Sequence, residues 1–177
     1  MLEDGTRFSG ANGASAEVIE SSPERFVYER LLPPGTGKGM PHLHLDYVQT
    51  FEVLDGEATM RVGRERRELG AGETVALQPE TTHIDPWNES DSPLRFRMTI
   101  APQPFFIEVY AATWGAWLEA GKLNRQDEFG PLQIAAVLHA GRAESFGAGP
   151  PVWLQRRLIP LVGRAAARRH PPVVPSG

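Results

Sequence analysis

The segment MPHLHLDYVQTFEVLDG, residues 40–56, decides the fold of this chain. Its two histidines, His42 and His44, follow a loop rich in glycine and proline and precede a run in which apolar and polar residues alternate. Because the side chains of a β-strand alternate between its two faces, both imidazoles point to the same side. Their nitrogens can then converge on one divalent metal ion; the alternative is that each imidazole only forms hydrogen bonds near a strand end.

The sequence around this segment has the spacing of an all-β protein. Short strands separated by turn residues recur about every ten residues over roughly the first hundred positions, as in a sandwich or barrel. Residues 50–56 and 57–63 are predicted strands, and Asp55-Gly56 between them predicts a hairpin turn. Residues 93–100, PLRFRMTI, alternate most regularly and predict a strand with one buried face.

The spacing of apolar residues becomes helical after the last predicted strand. Residues 106–118 predict one helix, residues 131–141 predict a shorter one, and a third is predicted to be kinked or divided at Pro160. The aromatic side chains of the first helix share one face: Phe106, Tyr110, Trp114 and Trp117. Such a face packs over the β core, closes a dimer, or forms a lid over a pocket.

These patterns divide the chain into a β-barrel at 1–103, a helical C-terminal extension at 104–170 and a flexible tail at 171–177. The chain has 177 residues, the size of one ordinary domain with a modest addition. Its composition is that of a globular protein, with 41% hydrophobic and 23% charged residues.

Charge and cysteine content exclude several classes of function. The net charge of −4 gives no general attraction to nucleic acid, and we expect no nucleic-acid partner. The arginines after residue 150 could approach a membrane surface, but such a helix face is more often simply solvated, so a membrane partner is not expected. The chain has no cysteine, which excludes disulfides and thiolate metal sites. Without a signal peptide or a membrane-length apolar run, we predict a soluble cytoplasmic protein.

The histidine pair belongs to a longer pattern over residues 25–101. The positions that carry this pattern are His42, His44, Gln49, Gly56, Gly72 and His83. They resemble the two motifs of the cupin superfamily, in which H-x-H is followed by a glutamate and a glycine, and a second glycine is followed by a third histidine. The resemblance implies a single all-β cupin domain, a jelly-roll-like antiparallel β-barrel, here followed by C-terminal α-helices.

The chain departs from the cupin motifs at several positions. Gln78 and Glu80 stand at the proline and glycine positions of the second motif, and Trp87 takes the asparagine position, with Asn88 one residue further on. These changes fall at turns, where several residue types serve, so the fold expectation stands. Gln49 occupies the position of the glutamate that completes a shell of three histidines and one carboxylate in the family.

The resemblance implies that His42, His44 and His83 bind one divalent transition metal, with Gln49 as a neutral fourth ligand or beside a bound water. Fe, Mn, Ni and Zn all suit a site made mostly of imidazoles. A metal with only neutral ligands keeps its full charge and would bind an anionic chelating substrate.

Two nearby acids could replace the missing carboxylate, and neither is well placed. Glu52 lies on the opposite strand face from Gln49, because the two positions differ by an odd number of residues. Asp46 has the parity of the histidine pair but falls where the chain turns.

The function that the resemblance implies is that of a metal-dependent enzyme of dioxygenase or isomerase type, acting on a small organic acid or enolisable compound. The alternative is a non-catalytic module that binds a small ligand, with or without metal. Phe51, Met60 and Phe96 are candidates to line the pocket, and each is as easily a core residue. A homodimer is expected from the resemblance alone, and no role is assigned to His139 or His170.

Overall fold

The computed structural model describes residues 1–175, which contain eleven strands and three helices. In chain order the strands are β1 (Arg7–Ser9), β2 (Ser15–Ser21), β3 (Phe26–Leu32), β4 (His42–His44), β5 (Val48–Asp55), β6 (Glu57–Val62), β7 (Glu65–Gly70), β8 (Thr74–Leu77), β9 (His83–Trp87), β10 (Leu94–Ala101) and β11 (Ser145–Gly147). The helices are α1 (Phe105–Glu119), α2 (Pro131–Ala140) and α3 (Val152–Ala167). None of these helices combines the length and the apolar character that crossing a bilayer requires.

The strands form two antiparallel sheets that do not close into one barrel. One sheet has six strands in the order β1-β2-β3-β10-β5-β8, and the other has five in the order β11-β4-β9-β6-β7. Among residues 1–175 no hydrogen-bonded strand pair joins the two sheets. The predicted antiparallel β architecture with C-terminal helices is confirmed. The two sheets form a sandwich, so the predicted jelly-roll-like barrel describes it only loosely.

The turn at Asp55-Gly56 is the corner at which the chain leaves one sheet for the other, and the predicted hairpin is wrong. β5 pairs with β8 and β10, while β6 pairs with β7 and β9. Gly56 has a φ of 82°, and a Cβ atom there would stand 2.5 Å from the carbonyl oxygen of Pro93. The dipeptide therefore marks the bend correctly, but the pairing of the flanking strands depends on residues far away in sequence.

β10 lies inside the six-stranded sheet and confirms the predicted alternation. It pairs with β3 on one side and β5 on the other. Its buried side chains are Leu94, Phe96, Met98 and Ile100. On the opposite face, Arg97 forms ion pairs with Glu29 at 2.7 Å and with Glu52 at 3.2 Å. One face of β10 thus forms core and the other carries charge, as the sequence indicated.

The helical extension shares a hydrophobic core with the sheets. Ile107, Trp114 and Leu118 of α1 belong to the same buried cluster as the inward residues of β10. α3 is one helix that includes Pro160, so of the two predicted alternatives, a kink or a division into two helices, the division is wrong. Beyond α3, Val173 donates its backbone N–H to the Thr113 hydroxyl at 2.9 Å. The last two positions of the predicted flexible tail, 176–177, lie outside the described residues.

Candidate metal centre

The antiparallel pairing of β4 with β9 brings the three predicted histidines together. His42 is the register partner of His83 in this pairing. The ring centres of His42 and His83 are 4.2 Å apart, and those of His44 and His83 are 5.2 Å apart. Residues that are distant in sequence therefore meet at one point between the sheets, where the sequence placed a metal site.

Backbone carbonyls fix the orientation of two of these imidazoles. Nδ1 of His83 lies 2.8 Å from the carbonyl oxygen of Thr81, and Nδ1 of His42 lies 3.0 Å from that of Met40. A carbonyl oxygen only accepts, so Nδ1 donates its proton in both contacts. The Nε2 lone pairs of both rings are consequently left free, which is the tautomer that metal ligation requires.

Asp85 is the third member of the cluster, and the sequence analysis missed it. Its Oδ1 lies 3.3 Å from Nε2 of His83 and 3.7 Å from Nε2 of His42. The potential ligand atoms of these three residues all lie within 4.8 Å of one another. The sequence held the signal, because Asp85 follows His83 by two positions and so shares its strand face.

The two acids that the sequence analysis weighed lie elsewhere. Asp46 is solvent-exposed between β4 and β5. Glu52 is on the outer face of β5, where it pairs with Arg97 at 3.2 Å. The strand-parity argument against Glu52 is confirmed, and the carboxylate beside the histidines comes from β9 instead.

Several buried polar atoms at this point have no hydrogen-bond partner. They are Nε2 of His83, Oδ1 of Asp85 and both ring nitrogens of His44. Buried polar groups in folded proteins are almost always paired, so a cluster of unpaired polar atoms needs an explanation. A divalent cation would satisfy the lone pairs that face one another here, and imidazole and carboxylate are suitable ligands for it. The residues present therefore fit a metal ion.

The local electrostatics keep His42 and Asp85 in the protonation states that ligate a metal. Burial lowers the pKa of His42, and the neighbouring His83 lowers it further. Burial alone would raise the pKa of the Asp85 carboxyl, but His42 and His83 together lower it to about 2. At neutral pH the carboxylate is therefore charged and the His42 imidazole neutral, as ligation of a metal requires.

His44 and Gln49 lie close to this cluster and have other contacts. His44 is fully buried and its ring stacks on Tyr47 with centres 4.1 Å apart. Burial and the other two histidines lower the pKa of His44 to about 4. Gln49 is buried on β5 and donates its Nε2 hydrogen to Sδ of Met98 at 2.9 Å. Neither residue belongs to the tight group of His42, His83 and Asp85.

A cavity of about 280 Å³ opens beside the cluster. Its apolar wall includes Met98, Ile100, Phe106, Phe129, Leu138 and Phe146. The polar side chains that line it include His42, Tyr47, Gln49, Asp85, Tyr110 and Glu128. The candidate pocket residues Phe51, Met60 and Phe96 do not line this cavity and are buried in the core.

The helical extension forms part of the cavity wall. Phe106 and Tyr110, both from the aromatic face of α1, line it. Trp114, from the same face, instead packs against Tyr28 and under the guanidinium of Arg30. The aromatic face therefore covers the sheets and shapes the cavity at once.

β11 is a further element that the sequence analysis did not predict. It adds Ser145–Gly147 to the edge of the five-stranded sheet, against β4. Ser145, Phe146 and Gly147 all line the cavity. A strand of three residues carries almost no periodicity, so only the tertiary structure could reveal it.

Comparison with known protein families gives a match over part of the chain. The family model described as Cupin domain matches residues 28–101. No curated protein matches the chain.

Three solved structures that resemble the chain cover about half of it. One, from Thermus thermophilus, shares 26% identity over 51% of this chain and 85% of its own, with a TM-score of 0.47. KdgF from Halomonas sp. shares 20% identity over 51% and 79%, with a TM-score of 0.45. A sugar phosphate isomerase of the cupin superfamily from Silicibacter pomeroyi shares 17% identity over 56% and 72%, with a TM-score of 0.46. At these TM-scores the likeness decides nothing about the activity of this chain.

Proposed function

Because this chain carries a cupin domain over residues 28–101, we propose that it is a metal-dependent enzyme acting on a small organic acid or enolisable compound. The observation that carries the proposal is the convergence of His42, His83 and Asp85 beside a largely apolar cavity, which His42 and Asp85 line. One carboxylate and two imidazoles leave several positions of a transition metal open, as in iron-dependent oxygenases. The metal is one of Fe, Mn, Ni or Zn, and the reaction is of dioxygenase or isomerase type.

The residues at this point would have distinct roles in such a metal site. His42 and His83 would bind the metal through Nε2, and Asp85 would bind it through a carboxylate oxygen. The nearby His44 would provide a further ligand. A bound divalent metal would supply Lewis-acid polarisation of a ligand oxygen. The apolar wall excludes water, which strengthens the attraction between the site and an anionic group.

The charge of the proposed centre differs from the one that the sequence analysis expected. Gln49 as the fourth ligand would have left the full charge on a divalent metal. The Asp85 carboxylate removes one of those charges, since its low pKa keeps it ionised. A single carboxylate or enolate oxygen of the substrate then neutralises the centre.

Replacing Asp85 with asparagine tests the centre directly. We expect wild-type protein to bind about one equivalent of Zn²⁺ or Co²⁺, and Asp85→Asn to weaken that affinity by at least roughly tenfold. Competition with a chelator measures the metal affinity, and elemental analysis of the protein measures the number of bound metal ions. Glu52→Asn is the matched control, because it removes an acid from the outer face of β5. Equal affinities of wild type and Asp85→Asn would show that Asp85 is not a ligand.

The alternative is a non-catalytic module that binds a small ligand, and the mostly apolar cavity wall favours it. Metal-loaded protein can be screened with enolisable acids for oxygen consumption and for isomerisation by NMR. Turnover that disappears in Asp85→Asn supports the enzyme. A complete absence of turnover over such a set, despite stoichiometric metal, would favour the binding module.

We also propose that the chain works as a cytoplasmic homodimer. The absence of cysteine accords with a reducing compartment. The outer side of α3 exposes a stripe of apolar residues, with Leu158 at 46%, Leu161 at 71% and Val162 at 46% exposure. A second copy of the chain would cover this stripe, as exposed apolar patches on soluble domains usually form contacts.

A further inference from the structure

A second polar point lies in the wall of the cavity, and the proposed metal centre does not use it. It consists of Tyr110 on α1 and Glu128 in the segment between α1 and α2, which both line the cavity. Glu128 is only 6% exposed. The helical extension supplies both residues, whereas the cupin domain supplies the histidines and Asp85.

Short contacts hold this pair in place. Arg30 of β3 lies 4% exposed beneath it, and its Nη2 forms an ion pair with Oε1 of Glu128 at 2.8 Å. The Tyr110 hydroxyl donates to the other carboxylate oxygen, Oε2, at 3.3 Å. The backbone N–H of Glu128 in turn donates to the Asn124 side chain at 3.2 Å. The carboxylate is thus fixed from its backbone and from both of its oxygens.

The charges at this point select the type of group that can bind there. Arg30 already neutralises Glu128, so a cationic ligand group would find no uncompensated charge. An anionic group would face the carboxylate, since Arg30 does not line the cavity. A neutral hydroxyl group neither needs an uncompensated charge nor repels the carboxylate. It can donate to Oε2 of Glu128, or to the Tyr110 oxygen, because the Tyr110 proton is already donated to Glu128. Burial raises the pKa of the Glu128 carboxyl, and the ion pair with Arg30 opposes that rise.

We propose that Tyr110 and Glu128 form a subsite for a neutral hydroxyl group of the ligand, in the same cavity that His42 and Asp85 line. This proposal rests on the metal centre proposed above. Most of the remaining wall of the cavity is apolar, with Met98, Ile100 and Phe129 among its residues. The ligand therefore carries an acidic oxygen group for the metal, an apolar or aromatic body and a hydroxyl group for the subsite. The cavity of about 280 Å³ limits it to a small molecule.

Co²⁺-loaded protein and three probe compounds test the subsite. The probes are benzoate, 3-hydroxybenzoate and 4-hydroxybenzoate, which share the carboxylate and the ring and differ only in the hydroxyl group. Changes in the visible Co²⁺ spectrum report binding and give a Kd for each. We expect at least one hydroxybenzoate to bind about tenfold more tightly than benzoate, as one buried hydrogen bond provides.

Tyr110→Phe and Tyr47→Phe separate the subsite from a general effect of the cavity. Both tyrosines line the cavity and both variants keep the ring. In Tyr110→Phe we expect the advantage of the hydroxybenzoate to fall below about threefold, with the Kd of benzoate unchanged. In Tyr47→Phe the advantage remains.

The possible failures are distinguishable. Absence of Co²⁺ binding would overturn the metal centre and with it the subsite. Normal Co²⁺ binding with equal affinity for the three probes, or with none for any of them, would overturn the subsite alone. The subsite is also overturned if the tighter binding of the hydroxybenzoate survives in Tyr110→Phe, or if it is lost in Tyr47→Phe instead. In those cases Arg30 and Glu128 would form only a buried ion pair that joins the extension to the sheet.

Discussion

At position 49 the cupin pattern has a glutamate and this chain has Gln49, while strand β9 carries an acid two residues after His83. The amide of Gln49 is used in a contact with Met98, and Asp85 provides the negative charge beside the histidines. In our proposal the carboxylate of the centre has moved from β5 to β9. Such an exchange is possible because both strands border the same cavity.

The exchange predicts how Gln49→Glu will behave. A second buried carboxylate near Asp85 has no cation to pair with unless metal is bound, so we expect metal-free Gln49→Glu to lose roughly 2–3 kcal/mol of unfolding free energy. Added Zn²⁺ should restore most of the lost unfolding free energy, and it should bind to Gln49→Glu more tightly than to wild-type protein. Urea unfolding with and without metal measures this. Gln78→Glu, the same change at an exposed position, is the control; equal effects of the two would show that residue 49 does not face the metal.

The buried His44 predicts a pH dependence of the metal-free protein. Its pKa is lowered from 6.5 to about 4 in the folded state by burial and by its histidine neighbours. As the pH falls below 6.5 the unfolded chain therefore takes up a proton that the folded chain resists, and stability falls until about pH 4. One such proton contributes a slope of about 1.4 kcal/mol per pH unit. We expect His44→Phe to reduce the slope by that amount in urea unfolding with chelator present; an unchanged slope would contradict the prediction.

At the scale of elements, the turn positions show which backbone conformations the fold needs. Glu80 stands at a glycine position of the cupin motif and has a φ of 66°, so the left-handed conformation remains although the glycine does not. Gly56 has a similar backbone but a different surrounding, because it lies against Pro93. Position 80 therefore tolerates a side chain, whereas position 56 has no space for one.

Two glycine substitutions separate backbone strain from steric overlap. Gly56 and Gly72 have φ values of 82° and 87°, and a Cβ atom at Gly72 would meet nothing within 4 Å. We expect Gly72→Ala to cost about 1–2 kcal/mol, the strain of a left-handed alanine. Gly56→Ala should cost at least about twice as much, because the corner between the sheets must also move. Urea unfolding compares them, and equal costs would mean that the contact with Pro93 relaxes freely.

At the scale of the whole molecule, the sheets and the helical extension depend on each other. The extension contributes Trp114 to the common core and Tyr110 and Glu128 to the cavity. The ion pair between Arg30 and Glu128 is buried on both sides and joins the extension to β3. The cavity thus exists only where the two parts meet.

The exposed stripe on α3 predicts the effect of one charge on assembly. We expect wild-type protein to have twice the chain mass of 19.5 kDa in light scattering after size-exclusion chromatography. Leu161→Arg should shift it to a single chain, since a charge would enter the covered stripe. Leu132→Arg changes a leucine that is 50% exposed on α2 and should leave the mass unchanged. A wild-type protein of single-chain mass at micromolar concentration would contradict the homodimer.

The sequence by itself determined the features that depend on neighbouring positions. Period-two alternation identified β10, and the change to helical spacing placed α1 and α2. The H-x-H pair with its spacing to His83 indicated the resemblance to cupins, and the Cupin domain model matches residues 28–101. These signals are local, because the geometry of one strand or helix decides which side chains share a face.

Only the tertiary structure decided which distant residues meet. It assigned β5 and β6 to different sheets and brought Asp85, rather than Asp46 or Glu52, beside the histidines. It also carried Glu128 of the extension to the cavity wall. Each of these depends on strand register and on the packing of helices against sheets, which are set by the burial of the whole core. The spacing of Asp85 from His83 shows only that the two share a strand face, and does not show which other strands lie beside them.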